Sequence, residues 1–302
     1  MNIDEYKFIL EDRITKIRAI NEQYDLENNA YLSFSGGKDS TVLHYLMDLA
    51  LPNNHIPRVY LNTGIEYGDI RKYVQELGKN DNRFKIVNSN INIKNMLETY
   101  GYPFKSKEYS HIVHIYQNSG KTLSVKKFLG EEEGNRLIHC PKKLKYQFRE
   151  DFNIKISDKC CYKLKKEPAK KWAKENNKSI ILTGMRTGEG GQRMNAACIV
   201  TDKNFNLVKF HPLLVVDSEW EEEFIKQNNI TLCKLYYEPY NFVRTGCKGC
   251  PFALNLEAEL NKLKELLPNE YKQCNLLWGK IYDEYKRIGF RLKPKQLSIF
   301  DL

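Results

Sequence analysis

Long apolar runs are missing from this sequence. None approaches the ~20 residues that a helical membrane span requires, so no membrane-spanning helix and no membrane partner are expected. The opening residues, Met1-Asn2-Ile3-Asp4-Glu5, lack a basic segment leading into an apolar one. No signal peptide is therefore read, and a cytoplasmic address is expected. Internal repeats and low-complexity linkers are absent as well. Acidic side chains are in deficit, 38 against 48 basic, which leaves a net charge of +10. Such a surplus suits an anionic partner, either a nucleotide or a nucleic acid. Equally, it describes a scatter of solvated lysines. The densest group, Lys163, Lys165, Lys166, Lys170 and Lys171, would line an anion channel or coat a helix. With 302 residues and 41% apolar content, the chain can bury the core of one large α/β domain, or of a domain with appendages.

Periodicity sets the architecture. Ile3, Tyr6, Ile9, Leu10, Ile14, Ile17 and Ile20 form an apolar stripe at helical spacing. Strands and helices then alternate: strand Tyr31–Phe34, helix Ser40–Leu49, strand Arg58–Leu61, helix Asp69–Leu77, strand Phe84–Val87 and helix Ile93–Tyr100. The helix Lys166–Glu175 leads into a further strand, Ser179–Thr183. This order predicts a doubly wound α/β fold with a parallel sheet and helices on both faces. Residues 103–152 break the alternation and read as an insertion, either a mobile segment or a helical lid. Ala196–Cys198 and Leu207–Phe210, joined through Asp202-Lys203-Asn204, read as a hairpin. Asp217–Lys226 is helical, with Trp220 in the core. Residues 254–288 read as two helices broken near Pro268.

Ser35-Gly36-Gly37-Lys38-Asp39-Ser40 joins the first strand to the first helix of this alternation. Two glycines let backbone N–H groups approach an anion, and the helix N-terminus adds its positive dipole end. Ser35, Ser40 and Thr41 add hydroxyls, and Lys38 adds a point charge. The Walker spacing is lacking.

Eight cysteines in a reducing compartment argue against a disulfide framework. Cys160-Cys161 is a tandem pair, and Cys247-Lys248-Gly249-Cys250 is a C-x-x-C 85 residues further on (162–246 intervene). Four thiolates can hold a [4Fe–4S] cluster. Structural zinc more often takes two C-x-x-C knuckles, which adjacent cysteines fit poorly; buried thiols are the remaining reading. Of the other four, Cys198 and Cys233 sit in apolar runs and are expected buried. Cys140 and Cys274 are expected to be accessible.

The loop Ser35–Ser40 resembles the PP-loop of the ATP-pyrophosphatase and sulfonucleotide-reductase superfamily, at all six positions. The two cysteine pairs resemble the cluster motif of bacterial and plant adenylylsulfate reductases. Tyr60-Leu61-Asn62-Thr63-Gly64-Ile65-Glu66 resembles the family's D-T-G segment, with Asn62 in place of the usual Asp. Leu182–Glu189 with Arg193 resembles its T-G-x-R stretch. The chain is therefore identified as a member of the phosphoadenylylsulfate (PAPS)/adenylylsulfate reductase family. The resemblance implies an N-terminal helix over 1–27, a PP-loop domain over 28–252, and C-terminal helices and a tail over 253–302. It implies a nucleotide, ATP or an adenylyl sulfonucleotide, held by Ser35, Gly36, Gly37, Lys38, Asp39, Ser40, Thr41, Asn62, Thr63, Gly64, Gly184, Arg186 and Arg193. Lys38 and Asp39 would be catalytic, with Mg²⁺ beside the phosphates. A [4Fe–4S] cluster would sit on Cys160, Cys161, Cys247 and Cys250, served by an electron or sulfur donor.

The family's reductases use a nucleophilic cysteine in a C-terminal Glu-Cys-Gly motif, and this sequence has none. Two enzyme readings follow: an oxidoreductase that reduces a sulfonucleotide, or an ATP-dependent transferase that moves sulfur to a nucleic acid (tRNA thiolation or DNA phosphorothioation). A nucleotide-sensing or clamp-binding module without catalysis is a third. Gln296-Leu297-Ser298-Ile299-Phe300 resembles the peptide with which bacterial proteins dock on the sliding clamp, or else packs on its own domain.

Overall fold

The computed structural model describes residues 1–133, 139–189 and 195–293. Arg193 and Gln296–Phe300 lie outside the described residues. Along the chain run helix α1 (Ile3–Tyr24), a short α2 (Leu26–Asn29), strand β1 (Ala30–Phe34), α3 (Lys38–Ala50), β2 (Arg58–Asn62), α4 (Gly68–Asn80) and β3 (Phe84–Asn88). Next come α5 (Ile93–Tyr100), α6 (Lys107–Ser119), α7 (Leu123–Leu129), α8 (Glu167–Glu175) and β4 (Ile180–Leu182). The series closes with β5 (Ile199–Thr201), β6 (Leu207–Phe210), α9 (Ser218–Gln227), α10 (Leu256–Leu266) and α11 (Pro268–Ile288).

The chain divides into two units, and each is discontinuous. The first comprises Met1–Asn62, Glu66–Asn88 and Pro168–Gly246; the second comprises Thr63–Ile65, Ser89–Glu167 and Cys247–Leu302.

Among the described residues, six strands form one sheet, all in the first unit, in the order β3-β2-β1-β4-β6-β5. Every neighbouring pair is parallel except β5 with β6. β1 is central, with Leu32 opposite Arg58 on β2 and opposite Leu182 on β4. Its two faces meet different helices, as the two-residue period of a strand requires. Tyr31 packs edge-on against Trp172 of α8, with Val59 and Ala173 in the same cluster. Phe34, on the other face, meets His44 of α3 and Phe84. This is a doubly wound α/β sheet, and the chain leaves β1 and β4 in opposite directions, so the switch point lies between those strands.

Helix α1 buries Tyr6, Ile14, Ile17 and Ile20 along the expected stripe. Asn2 caps it by accepting from Glu5 N–H. The hairpin differs from expectation in its first strand, which is Ile199–Thr201 instead of Ala196–Cys198. Asp202 accounts for the shift: its carboxylate accepts from the N–H groups of Asn204 and Asn206, fixing the turn over 202–206 and pairing Thr201 with Leu207.

In the second unit, the segment 103–152 forms α6, α7 and a 3-10 turn (Lys142–Phe148) with its own aromatic core of Phe104, Tyr109, Phe128 and Phe148. Helix α10 ends at Leu266 and α11 begins with Pro268 at its first position, where the missing N–H costs no helical bond.

Candidate functional site

The loop after β1 is shaped by its glycines. Gly36 is left-handed, with φ +73°, and a Cβ there would stand 2.8 Å from Ile70 and 3.0 Å from Val74 of α4. Gly37 caps α3 without a side-chain bond. A hydroxyl meets most of the amides that point out of this turn. Ser35 N–H donates to Ser40 Oγ (3.2 Å), Gly37 N–H to Ser35 Oγ (3.3 Å) and Lys38 N–H to Tyr236 Oη (3.0 Å). The Ser40 and Thr41 hydroxyls donate back to Gly37 O. An oxyanion can take the place of such hydroxyl acceptors at the positive end of a helix.

Gly184, just beyond β4, fits against this turn. A Cβ there would lie 2.6 Å from Asp39 O and 2.8 Å from Asp39 C. A cavity of about 570 Å³ opens at this point, lined by Ser35, Gly37 and Lys38 on one side and by Gly184 and Arg186 on the other. Asp39, Ser40, Thr183, Ser218, Tyr236, Arg244, Thr245 and Gly246 are also in its wall.

The charges are tightly arranged. Arg186 Nε donates to Asp39 Oδ1 at 2.8 Å and Nη1 to Ser218 Oγ at 3.2 Å, while Nη2 stands 3.2 Å from Glu221 Oε2. Lys38 Nζ lies 3.4 Å from the same Glu221 oxygen and 3.9 Å from Glu222. Ser218, Glu221 and Glu222 share one face of α9 by their spacing, and Trp220 and Phe224 pack the other way. Asp217 caps this helix through Trp220 N–H. Glu221 is fully buried. Burial, then the charge of Asp39, pushes its carboxyl up to about 7, against the pull of Arg186 and Lys38.

The expected residues separate into three groups. Ser35, Gly37, Lys38, Asp39, Ser40, Gly184 and Arg186 line one cavity, and Gly36 and Thr41 shape the turn beneath it. Asn62 ends β2, where its amide donates to Asn88 Oδ1 at 2.9 Å, and it is not in the cavity wall. Thr63, which is buried, and Gly64 (φ +81°) fall in the second unit. Sequence reasoning missed Ser218, Glu221, Tyr236, Arg244 and Thr245. The polar face of α9, at spacing i, i+3, i+4, was a readable signal for the first two. Tyr236 and Thr245 lie in an irregular segment that has no period to read.

The four cysteines of the two pairs all lie in the second unit. Cys160 and Cys161 open a turn of π-helix, Tyr162–Lys166, with Cys160 Sγ 3.9 Å from Cys161 Sγ. The Cys160 thiol is pushed up by that bond, by burial, and by the charges of Cys161, Cys250 and Cys247. Cys161 is pushed down, first by the hydrogen bond from Cys160 and then by Lys107, Lys165 and Lys166. Burial, followed by the charge of Cys247, pushes Cys250 up to about 12. The two pairs, distant in sequence, are thus within electrostatic reach of each other. Among the described residues, no three His, Cys, Asp or Glu side chains are grouped as a metal-holding set.

Helix α11 secures the C-x-x-C turn. Trp278 Nε1 donates to Lys248 O (3.1 Å), Tyr282 Oη to Gly249 O, and Tyr285 Oη to Pro251 O (2.9 Å). These residues recur at i, i+4, i+7 on one helix face. Lys248 Nζ is held by Glu270 and Gln273 from the same helix. Gly249 has φ +57°, and a Cβ there would stand 2.4 Å from Tyr282 Oη and 2.8 Å from Cys274 Sγ. Cys274 is therefore completely buried and Cys140 nearly so, which corrects the expectation that they are accessible. Cys198 is half-buried where full burial was expected, and Cys233 is buried. Lys163 pairs with Glu167 at 2.8 Å, which places it on a helix face.

A parallel sheet with a glycine turn, a helix N-terminus and basic side chains at its switch point defines a class of α/β protein whose ligand sites lie at the carboxyl ends of the strands. A family model described as the phosphoadenosine phosphosulfate reductase domain matches residues 29–139 and 137–253. The chain belongs to that family. Solved structures similar to it include phosphoadenylyl-sulfate reductase from Candida auris in a phosphate complex (13% identity, 82% of this chain and 96% of that one, TM-score 0.45). Others are Candida glabrata FMN adenylyltransferase with FAD and inorganic pyrophosphate (14%, 82% and 66%, TM-score 0.46) and an NH3-dependent NAD synthetase from Campylobacter jejuni (15%, 99% and 100%, TM-score 0.40). No curated protein matches the chain. Among the described residues, no helix is long and apolar enough to cross a membrane.

Proposed function

We propose that this chain is an enzyme of sulfur chemistry that binds an adenine nucleotide, ATP or an adenylyl sulfonucleotide, in the cavity at the β1–β4 switch point. The observation that carries the reading is the Ser35–Ser40 turn, with hydroxyls on its amides and Lys38 and Arg186 beside it. In this reading Lys38 and the loop amides hold phosphate oxygens, and Arg186 orients the anion with its planar fork. Mg²⁺ accompanies the phosphates.

The reading extends to a [4Fe–4S] cluster on Cys160, Cys161, Cys247 and Cys250, and it is supported by the number and kind of these ligands, by the charges of Cys161, Cys247 and Cys250 at Cys160, and by the hold of α11 on the C-x-x-C turn. When bound, the cluster would supply a redox-active iron center.

Buried Cys274 favors one sulfur chemistry over the other. Reduction of a sulfonucleotide needs an accessible thiolate acceptor. Cys274 is the only cysteine after Cys250, is fully buried, and has its thiol pushed up to about 12 by that burial. ATP pyrophosphatase-type transfer of sulfur to a nucleic acid requires no such residue. Anaerobic purification with iron and sulfide analysis tests the cluster. Incubation with ATP and nucleic acid, in parallel with adenylyl sulfonucleotides and a reductant, separates the chemistries. Pyrophosphate release supports transfer and sulfite release supports reduction. Binding with neither product leaves a nucleotide-sensing module, and absence of binding overturns the site.

A further inference from the structure

Glu221 stands beside the cavity, and that reading gives it no role. It is completely buried, and neither carboxylate oxygen receives an N–H at hydrogen-bonding geometry. A buried polar atom left this way calls for a physical account. The account lies in its neighbors. Arg186 Nη2 and Lys38 Nζ, both from residues of the cavity wall, approach Glu221 Oε2, at 3.2 and 3.4 Å. Asp39, on the same turn of α3 as Lys38, adds a second negative charge that opposes Glu221. Glu222 is the other acid on its own helix that reaches Lys38. From α1 comes Tyr6, stacked on Trp220 at 5.9 Å and accepting Trp220 Nε1–H at its carbonyl.

Three carboxylates share two cations here, of which Glu221 is fully buried, Asp39 partly exposed and Glu222 largely exposed. The balance changes when a phosphate chain enters. Phosphate oxygens draw Lys38 and Arg186 toward the cavity and bring several negative charges near a carboxylate that is already poorly solvated. Both changes disfavor the ionized form of Glu221.

We propose that Glu221 is the internal counter-ion of Lys38 and Arg186 in the nucleotide-free protein, and that it takes up a proton from solution when a nucleotide's phosphates claim those two cations. This rests on the nucleotide reading of the cavity. Glu221 is a positioning residue, since it lies behind the two cations and outside the cavity wall. Its carboxyl, raised by burial to about 7 before any ligand arrives, is mostly ionized at mildly alkaline pH, so the uptake is largest there.

The test is isothermal titration of the full chain with ATP near pH 8, in two buffers of different ionization enthalpy. The wild-type protein is expected to take up roughly one proton more per ATP than Glu221→Gln, because linkage equates the difference in bound protons with the change at that group. ATP's own protonation is common to both proteins and cancels. Equal uptake in the two proteins overturns the proposal while leaving the nucleotide site intact. Absence of ATP binding to wild type overturns the site and this proposal together. A second measurement does not depend on the variant folding: infrared difference spectra of wild type on ATP addition should gain the band of a buried protonated carboxyl. Its absence counts against Glu221 as the proton acceptor.

Discussion

At the scale of single residues, close approach and burial decide the site. Gly184 is one case. A methyl there meets the Asp39 carbonyl at 2.6 Å, and backbone cannot swing away as a side chain can. Gly184→Ala should cost about 1–3 kcal/mol of stability, the usual range for overpacking, and should displace the loop. Urea denaturation and ATP titration measure both. Glu221 sets a pH dependence. Its folded pKa is raised from 4.5 to about 7, so the stability it contributes is complete below pH 4.5 and is lost as pH rises through 7. Over that interval the urea midpoint of wild type should fall relative to that of Glu221→Gln, in which this contribution is missing. His44 acts over nearly the same interval with the opposite sign, and it does so in both proteins. Burial, then Arg58, lowers it to about 4, so its contribution is present above pH 6.5 and lost as pH falls toward 4.

At the scale of elements, two arrangements rigidify the sheet and the cysteine turn. Arg58, on β2, is fully buried; it donates to His44 Nδ1 (3.1 Å), Asn54 Oδ1 (2.6 Å) and Asp48 Oδ1 (2.7 Å), and Arg83 joins the same carboxylate. Removing one partner of a buried ion pair leaves the other uncompensated. Asp48→Asn should therefore destabilize the chain by about 2–3 kcal/mol, reduced from the full buried-pair value because Asp48 is about one-third exposed. The α11 face is the second arrangement. Tyr282→Phe deletes one donor to the C-x-x-C turn and should cost about 1 kcal/mol. Gly249→Ala meets both a left-handed backbone and a filled space, so it should cost several-fold more; the two denaturation curves compare them directly. The legibility of these elements differed in kind. The Ser35–Ser40 turn and the β1, α3, β2, α4 alternation were readable because local period and local turn chemistry specify them. Trp278, Tyr282 and Tyr285 were not: an amphipathic helix shows which face is buried, but not that three polar tips on it reach another segment's carbonyls. The start of β5 was misplaced because Asp202 captures two N–H groups beyond it. That Tyr236, Arg244, Thr245 and Gly246 also line the cavity depends on tertiary placement alone.

At the scale of the whole molecule, the proposals meet in one experiment. Replacing Lys38 with Ala should weaken ATP binding at least tenfold, about 1.4 kcal/mol, with iron content unchanged. Replacing Cys247 and Cys250 with Ser should remove the iron; ATP affinity, measured on the same preparations, shows how far the two sites depend on each other. The division of the chain has a consequence of its own. It crosses from one unit to the other after residues 62, 65, 88, 167 and 246. During synthesis, Ile180 emerges 150 residues after its β1 neighbor Ala30 (180 against 30), and Cys247 emerges 86 after Cys161 (247 against 161). The β4-facing edge of the central strand and the first thiol pair both wait until well over half of the polypeptide has left the ribosome. The nascent chain must carry an unpaired strand edge and two uncovered sulfurs through that interval, so oxygen and crowding during translation should limit its yield more than its finished stability does.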